Sequence, residues 1–92
     1  MTDTNKTRDL RTSVTVPLQF PVTVDAQEYK SLTMRRPKNK DSLAARKHAS
    51  DDMERGIFVL ARLCDVAPDV IEELDQLDSD ALAEQLARFQ GR

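Results

Sequence analysis

The sequence has few of the features that stabilise small proteins or identify enzymes. It contains one cysteine, Cys64, and one histidine, His48, which excludes an internal disulfide and falls short of a tetrahedral zinc site. Only 4% of its 92 residues are aromatic, so its core must be modest. No stretch approaches the roughly 20 apolar residues of a membrane span, and the start lacks the apolar core of a signal peptide. We therefore expect a cytoplasmic protein with one small core that self-association helps to stabilise.

Charge is unevenly distributed along the chain, although the net charge is only -2. Residues 1 to 50 carry ten Lys or Arg against five acids, and residues 51 to 92 carry four against eleven, so the halves are about +5 and -7. Such opposite halves favour intramolecular or head-to-tail contacts and disfavour coating of nucleic acid along the whole chain.

The N-terminal third predicts a polar arm followed by a β-hairpin. Apart from Met1, residues 1 to 13 have Leu10 as their only large apolar residue and are expected to be mobile. A hairpin is predicted over 14 to 36, with a polar turn at 25 to 28 and with pairing that begins after Pro17, because proline cannot donate to a ladder. Period-two alternation places one set of residues on a single face of the first strand: Val14, Val16, Leu18, Phe20, Val22 and Val24. Leu32 and Met34 should share the buried face of the second strand.

Residues 37 to 92 predict three to four helices that form one domain with the hairpin. Asp41 should cap a short helix from Ser42 to His48 that carries Leu43 and Ala44 on its inner side. Three further helices are expected to begin near Asp51, Pro68 and Ser79, and the last of them should end at Gly91. The order of elements predicts the α+β class, with the helices segregated from the hairpin.

Several segments, in this order, resemble one family of phage proteins. They are Leu18 to Pro21, Ser31 to Pro37, Leu60 to Pro68, Val70 to Leu74 and Phe89 to Gly91. Together they resemble the small E-type tail assembly chaperones of contractile-tailed phages over roughly residues 17 to 90. The turn departs from the pattern, because the family often has a glycine where this chain has Asp25-Ala26-Gln27.

The resemblance implies a phage or prophage protein that has no catalytic activity and needs no cofactor or metal. Its implied partners are the tape measure protein, which it would keep soluble, and possibly tail tube subunits, which it would help recruit. The resemblance also implies a longer companion form made by ribosomal frameshifting. We expect a homo-oligomer in the host cytoplasm that is absent from the mature virion and binds neither membranes nor nucleic acid.

The apolar helix stripes suggest where a client would bind. The apolar side chains of the predicted helices form stripes that are wide for so small a chain, which leaves apolar surface to cover. An amphipathic client helix can lie in a groove between helices. The candidate groove residues are Ile57, Phe58, Leu60, Leu63, Ile71, Leu74, Leu82, Leu86 and Phe89. We interpret Cys64, which lies in the same stripe, as a buried apolar residue.

A basic segment supports an alternative function for the protein. Its residues are Arg35, Arg36, Lys38, Lys40, Arg46 and Lys47, with the single acid Asp41 among them. A small DNA-binding or regulatory protein could use residues 35 to 47 to bind phosphates, but no aromatic residue is interleaved with them. We favour contact with an acidic protein surface, which could be this chain's own C-terminal half, followed by a solvated loop, and we rank both above nucleic-acid binding. A third interpretation is a structural oligomer of the virion.

Overall fold

The structure is a computed structural model that describes residues 9 to 92, and it has the predicted α+β architecture. A two-stranded antiparallel hairpin, β1 (Ser13–Val24) and β2 (Gln27–Arg35), precedes four helices. The helices are α1 (Asn39–His48), α2 (Asp52–Cys64), α3 (Pro68–Glu73) and α4 (Gln76–Phe89). Residues 1 to 8 of the predicted arm lie outside the described residues. Asp9 contacts Arg11 and Gln85, and the end of the predicted arm, Ser13, already belongs to β1.

The hairpin turn is shorter than the polar segment 25 to 28 suggested. Asp25 and Ala26 alone connect the strands, with φ angles of 52° and 66°, and β2 begins at Gln27. Two consecutive residues with positive φ give the twist that a two-residue hairpin needs. The chain makes this turn without glycine, which explains why its length was not apparent from the sequence.

Pairing starts before Pro17, so the expectation that it begins after this residue is wrong. Ser13 pairs with Arg35, and the register continues to Pro17 opposite Ser31. The amide of Arg36 donates to the Thr12 carbonyl at 3.0 Å. Because hydrogen-bonded and non-hydrogen-bonded pairs alternate, Pro17 falls in a non-hydrogen-bonded pair and its missing N–H costs the ladder nothing.

A bulge in β1 interrupts the predicted alternation. Between the pairs Pro17–Ser31 and Val22–Tyr29, the four residues 18 to 21 lie opposite Lys30 alone. Leu18 is buried, whereas Phe20 is 54% exposed. The prediction that Phe20 lies on the same face as Leu18 is therefore wrong, because extra residues in one strand rotate the side chains that follow.

The first helix also differs from its prediction. It begins at Asn39, so Asp41 lies inside its first turn and not at its cap. Asp41 and Ala45 face the protein interior, whereas Leu43 is 53% exposed. Ion pairing at Asp41 sets this orientation and overrides the apolar preference of Leu43.

The later helices start and end largely as the sequence indicates. The Asp51 side chain caps α2 by accepting from the Glu54 amide, and Pro68 occupies the first turn of α3. The cap of α4 is Asp75, whose side chain accepts from the Leu77 amide, and not Ser79. Leu77 is consequently in α4 and is 57% exposed.

One core lies between the inner face of the hairpin and the helices. Strand residues Leu18, Leu32 and Met34 meet residues from α2, α3 and α4 there, and Leu32 and Met34 share the buried face as predicted. The helical members are Leu60, Ala61, Leu63, Cys64, Ile71, Leu82 and Phe89, with Leu74 directly after α3. The solvent face of the hairpin is polar, with the Thr15 and Thr33 hydroxyls 2.8 Å apart.

Candidate functional site

The structure divides the nine candidate groove residues into core and surface. Six of them are buried in the core, where they hold the fold together: Leu60, Leu63, Ile71, Leu74, Leu82 and Phe89. Ile57, Phe58 and Leu86 are half-buried. The nine therefore do not form one continuous exposed groove, because most of the stripe is covered by the chain's own helices and strands.

Four of the nine nevertheless line two adjoining depressions beside α2 and α3. The first is lined by Met53, Ile57, Ile71, Glu72, Leu74, Gln76, Ser79 and Asp80. The second is lined by His48, Glu54, Ile57, Phe58, Pro68 and Glu72. Since Ile57 and Glu72 belong to both, we treat the two depressions as one feature, the α2–α3 groove.

The α2–α3 groove combines a limited apolar surface with polar and acidic side chains. Met53 is 69% exposed and precedes Ile57 by one helical turn, so α2 presents an apolar stripe to solvent. Ile71 and Leu74 contribute their remaining surface from the core below. The exposed acids Glu54, Glu72 and Asp80 stand around this apolar surface, and none of them forms a salt bridge within residues 9 to 92.

An aromatic stack lies at one end of the groove. The ring of His48, the last residue of α1, packs on Phe58 of α2 with centroids 4.2 Å apart and planes inclined by 22°. The contact places the end of α1 beside the groove and gives His48 a packing role. Met53, the most exposed apolar residue of the groove, was not among the residues that sequence reasoning selected, although it begins the same stripe.

The basic segment does not form one patch, because Arg35 is used inside the fold. Its guanidinium donates to both carboxylate oxygens of Asp41, at 2.9 and 2.7 Å. Arg62 Nε donates to the same carboxylate at 2.7 Å, as does the Lys38 amide at 2.8 Å. These donors, Arg35 foremost, hold the pKa of Asp41 well below its usual range. Asp41 thus joins β2, α1 and α2.

Arg36 is also committed to internal contacts. Its guanidinium donates to the carbonyls of Asp9, Arg11 and Phe89, and its central carbon lies 5.1 Å from the centroid of the Phe89 ring. This arginine connects the segment before β1 to the end of α4 and stacks on an aromatic face. The four exposed members of the basic segment are Lys38, Lys40, Arg46 and Lys47.

Two buried polar residues of α4 were not predicted. Asp78 is 1% exposed, and its two carboxylate oxygens accept from the amides of Gln19, at 2.8 Å, and Phe20, at 3.0 Å. Gln85 is 3% exposed and donates to the Asp9 carboxylate at 2.8 Å. A polar residue at an inward helix position was the available signal, but the partners are too distant in sequence to have been identified.

The remaining potentially reactive residues lie in surroundings that suit a structural role. Burial raises the pKa of the Cys64 thiol to about 11, which keeps it protonated and unreactive at neutral pH. Between residues 9 and 92, no three His, Cys, Asp or Glu side chains are grouped so that they could hold a metal ion. Over the same residues, no helix is long and apolar enough to cross a bilayer.

Comparison with known proteins matches the chain to a family. Residues 15 to 91 match the family described as phage tail assembly chaperone proteins, E, or 41 or 14. The match includes the hairpin from its third residue, all four helices and every residue that lines the α2–α3 groove. No curated protein and no solved structure matched the chain.

Proposed function

Since the chain belongs to the phage tail assembly chaperone family, we propose that it binds the tape measure protein, keeps it soluble and helps recruit tail tube subunits to it. The observation that carries this proposal is the α2–α3 groove, an open depression in which the exposed Met53 and the half-buried Ile57 adjoin exposed acids. A protein that binds exposed apolar segments of a client needs such a surface.

The chemistry of the groove favours a particular kind of client segment. An amphipathic helix could place its apolar side against Met53 and Ile57 and reach Ile71 and Leu74 below. Glu54, Glu72 and Asp80 would lie opposite basic side chains on the flanks of that helix. We therefore propose that the bound segments of the tape measure protein are helical, apolar on one side and basic at the borders of that side.

The same proposal includes the setting in which the protein acts. It acts during tail morphogenesis of a phage or prophage, in the host cytoplasm, and it leaves before the virion is complete. It acts by binding alone and performs no catalytic step. Mass spectrometry of purified particles checks the setting, since detection of this chain in mature virions would favour the structural-oligomer alternative.

Co-expression with the tape measure protein tests the groove. Met53→Asp introduces a charge at a side chain that is 69% exposed, so folding should be unaffected while apolar contact is lost. Phe20→Asp is the matched control, because Phe20 is similarly exposed at 54% but lies on the hairpin and is not among the residues that line the groove. We expect the client to precipitate with Met53→Asp and to stay soluble with Phe20→Asp. Equal client solubility with both variants would refute the groove, and equal solubility without any chaperone would refute the function.

The DNA-binding alternative has less support, because Arg35 and Arg36 are engaged within the fold. A mobility-shift assay at low salt tests it with Lys38→Ala, Lys40→Ala and Lys47→Ala combined. A shift that strengthens steeply as salt falls and disappears in this variant would favour nucleic-acid binding. The chaperone proposal expects no shift.

A further inference from the structure

The outward surface of α1 combines positive charge with an exposed leucine. Residues spaced three and four apart share one face of a helix, so Lys40, Leu43 and Lys47 form a stripe. Both lysines are exposed and Leu43 is 53% exposed. We name these three residues the α1 basic stripe, and the exposed Arg46 lies beside it.

This stripe points away from its own chain. At about 100° per residue, Leu43 lies about 200° around the helix axis from both Asp41 and Ala45. Those two residues are buried against the rest of the protein, and Asp41 is fixed by Arg35 and Arg62. The α1 basic stripe therefore cannot turn into the groove of its own chain without breaking that ion-pair cluster.

The stripe and the α2–α3 groove are complementary in charge and polarity. We propose that, when no client is bound, the α1 basic stripe of one copy docks in the α2–α3 groove of a second copy. Leu43 of one copy lies against Met53 and Ile57 of the other, and Lys40 and Lys47 lie opposite the groove acids. The exposed leucine favours a protein surface over nucleic acid, since a phosphate backbone offers leucine no apolar contact.

The contact joins two different surfaces, so each copy has one stripe and one groove. Copies can pair reciprocally or join head to tail into a ring. A short helix in a shallow groove buries little area, which places the contact among weak, readily dissociating interfaces. That weakness suits a chaperone whose client must displace the second copy. The displacement step, unlike the self-association itself, depends on the proposed function.

Charge-reversal variants of the chaperone, studied separately and as a mixture without any client, test the contact. Wild-type protein should sediment above the 10.4 kDa monomer mass at about 500 µM and approach it at about 10 µM. The pair Lys40→Glu and Lys47→Glu should stay monomeric, as should the pair Glu72→Lys and Asp80→Lys. Mixing the two double variants should restore a complex, because each supplies the surface that the other has lost. Added salt should weaken all of these complexes.

Controls separate a lost contact from a lost fold. Lys30→Glu reverses an exposed charge on β2 and should associate like wild type. Leu43→Ser, at an exposed position, should reduce association without altering the circular dichroism spectrum. A wild-type chain that is monomeric at every concentration would overturn the proposal, as would a mixture of double variants that fails to associate although both are folded.

A competition experiment between a client helix and the second copy distinguishes the docking contact from the proposed function. A fluorescent tape-measure helix should displace wild-type self-association and should bind the Lys40→Glu, Lys47→Glu variant more tightly, because its groove is free. Self-association without client binding would leave the docking contact standing and remove the chaperone role. Client binding that leaves the self-associated mass unchanged would overturn the shared groove.

Discussion

Asp41 and Asp78 are buried to the same extent, 1% exposed each, but their charges are satisfied in different ways. Asp41 lies among two arginine side chains and the Lys38 amide. Asp78 accepts only backbone amides of the β1 bulge, and within residues 9 to 92 no Lys or Arg forms a salt bridge with it. Side-chain donors can turn to solvent when an acceptor is lost, whereas the direction of a backbone donor is fixed by the conformation of the bulge.

The difference has consequences for the two ends of the molecule. Asp41 fixes the orientation of α1, and with it the exposure of Lys40, Leu43 and Lys47. Asp78 holds the bulge against the first turn of α4, where the helix dipole also favours a negative charge. One carboxylate therefore orients a charged surface, and the other maintains the shape of the hairpin.

The largest expected effect comes from removing the acceptor of the bulge. Asp78→Ala leaves two amides without a partner and should lower the free energy of unfolding by about 3 kcal/mol. Glu84→Ala, on the exposed side of the same helix, should change it by less than about 0.5 kcal/mol. Urea unfolding measures both variants, and hydrogen exchange should accelerate at the amides of Gln19 and Phe20. If these amides stay protected in Asp78→Ala, the assigned role of Asp78 is wrong.

Asp41→Ala should cost less, about 2 kcal/mol, although Asp41 has more partners. The side chains of Arg35 and Arg62 are 41% and 37% exposed, so water can solvate them after the acid is removed. The variant should also change the orientation of α1, which self-association would report. A cost that clearly exceeds that of Asp78→Ala in the same urea experiment would contradict the comparison.

The acid dependence of stability should distinguish wild type from Asp41→Asn. The pKa of Asp41 is depressed in the folded state, so its contribution is present above the ordinary value of about 4 and is lost as pH falls towards the folded-state pKa. Between about pH 5 and pH 2, wild type should lose more stability than Asp41→Asn. Urea midpoints across this range measure the difference. Parallel pH profiles of the two proteins would show that Asp41 does not supply the linkage.

The smallest expected effect lies at the hairpin turn, where neither acid forms a hydrogen bond. Ala26 has a φ of 66°, a region that alanine adopts at a cost and glycine adopts freely. Ala26→Gly should therefore raise the free energy of unfolding by about 1 kcal/mol, less the extra entropy that glycine gives the unfolded chain. Thermal unfolding measures the change. A lower melting temperature would mean that the turn does not need positive φ at this position.

Local patterns in the sequence predicted the hairpin, most helix boundaries and the α+β class. Period-two alternation, the Asp51 cap and Pro68 act over a few residues, so each could be recognised without knowledge of the fold. The same patterns placed Leu82 and Phe89 on an inward face but could not say whether that face meets a client or the chain's own core. Ile57 and Met53, by contrast, remain at the surface. Nothing in the local sequence shows that the groove stays open at the start of α2.

The tertiary structure alone decided which polar groups meet. The β1 bulge depends on Asp78, whose partners Gln19 and Phe20 are 59 and 58 residues away in sequence. In the sequence, Arg35 and Arg36 belong to a basic segment. In the folded protein they instead contact Asp41, Phe89 and backbone carbonyls. Sequence by itself determined the elements and their order, because propensity and periodicity are local. Which charges remain on the surface depends on contacts between distant elements, because burying a charged group is favourable only when partners from elsewhere in the chain surround it.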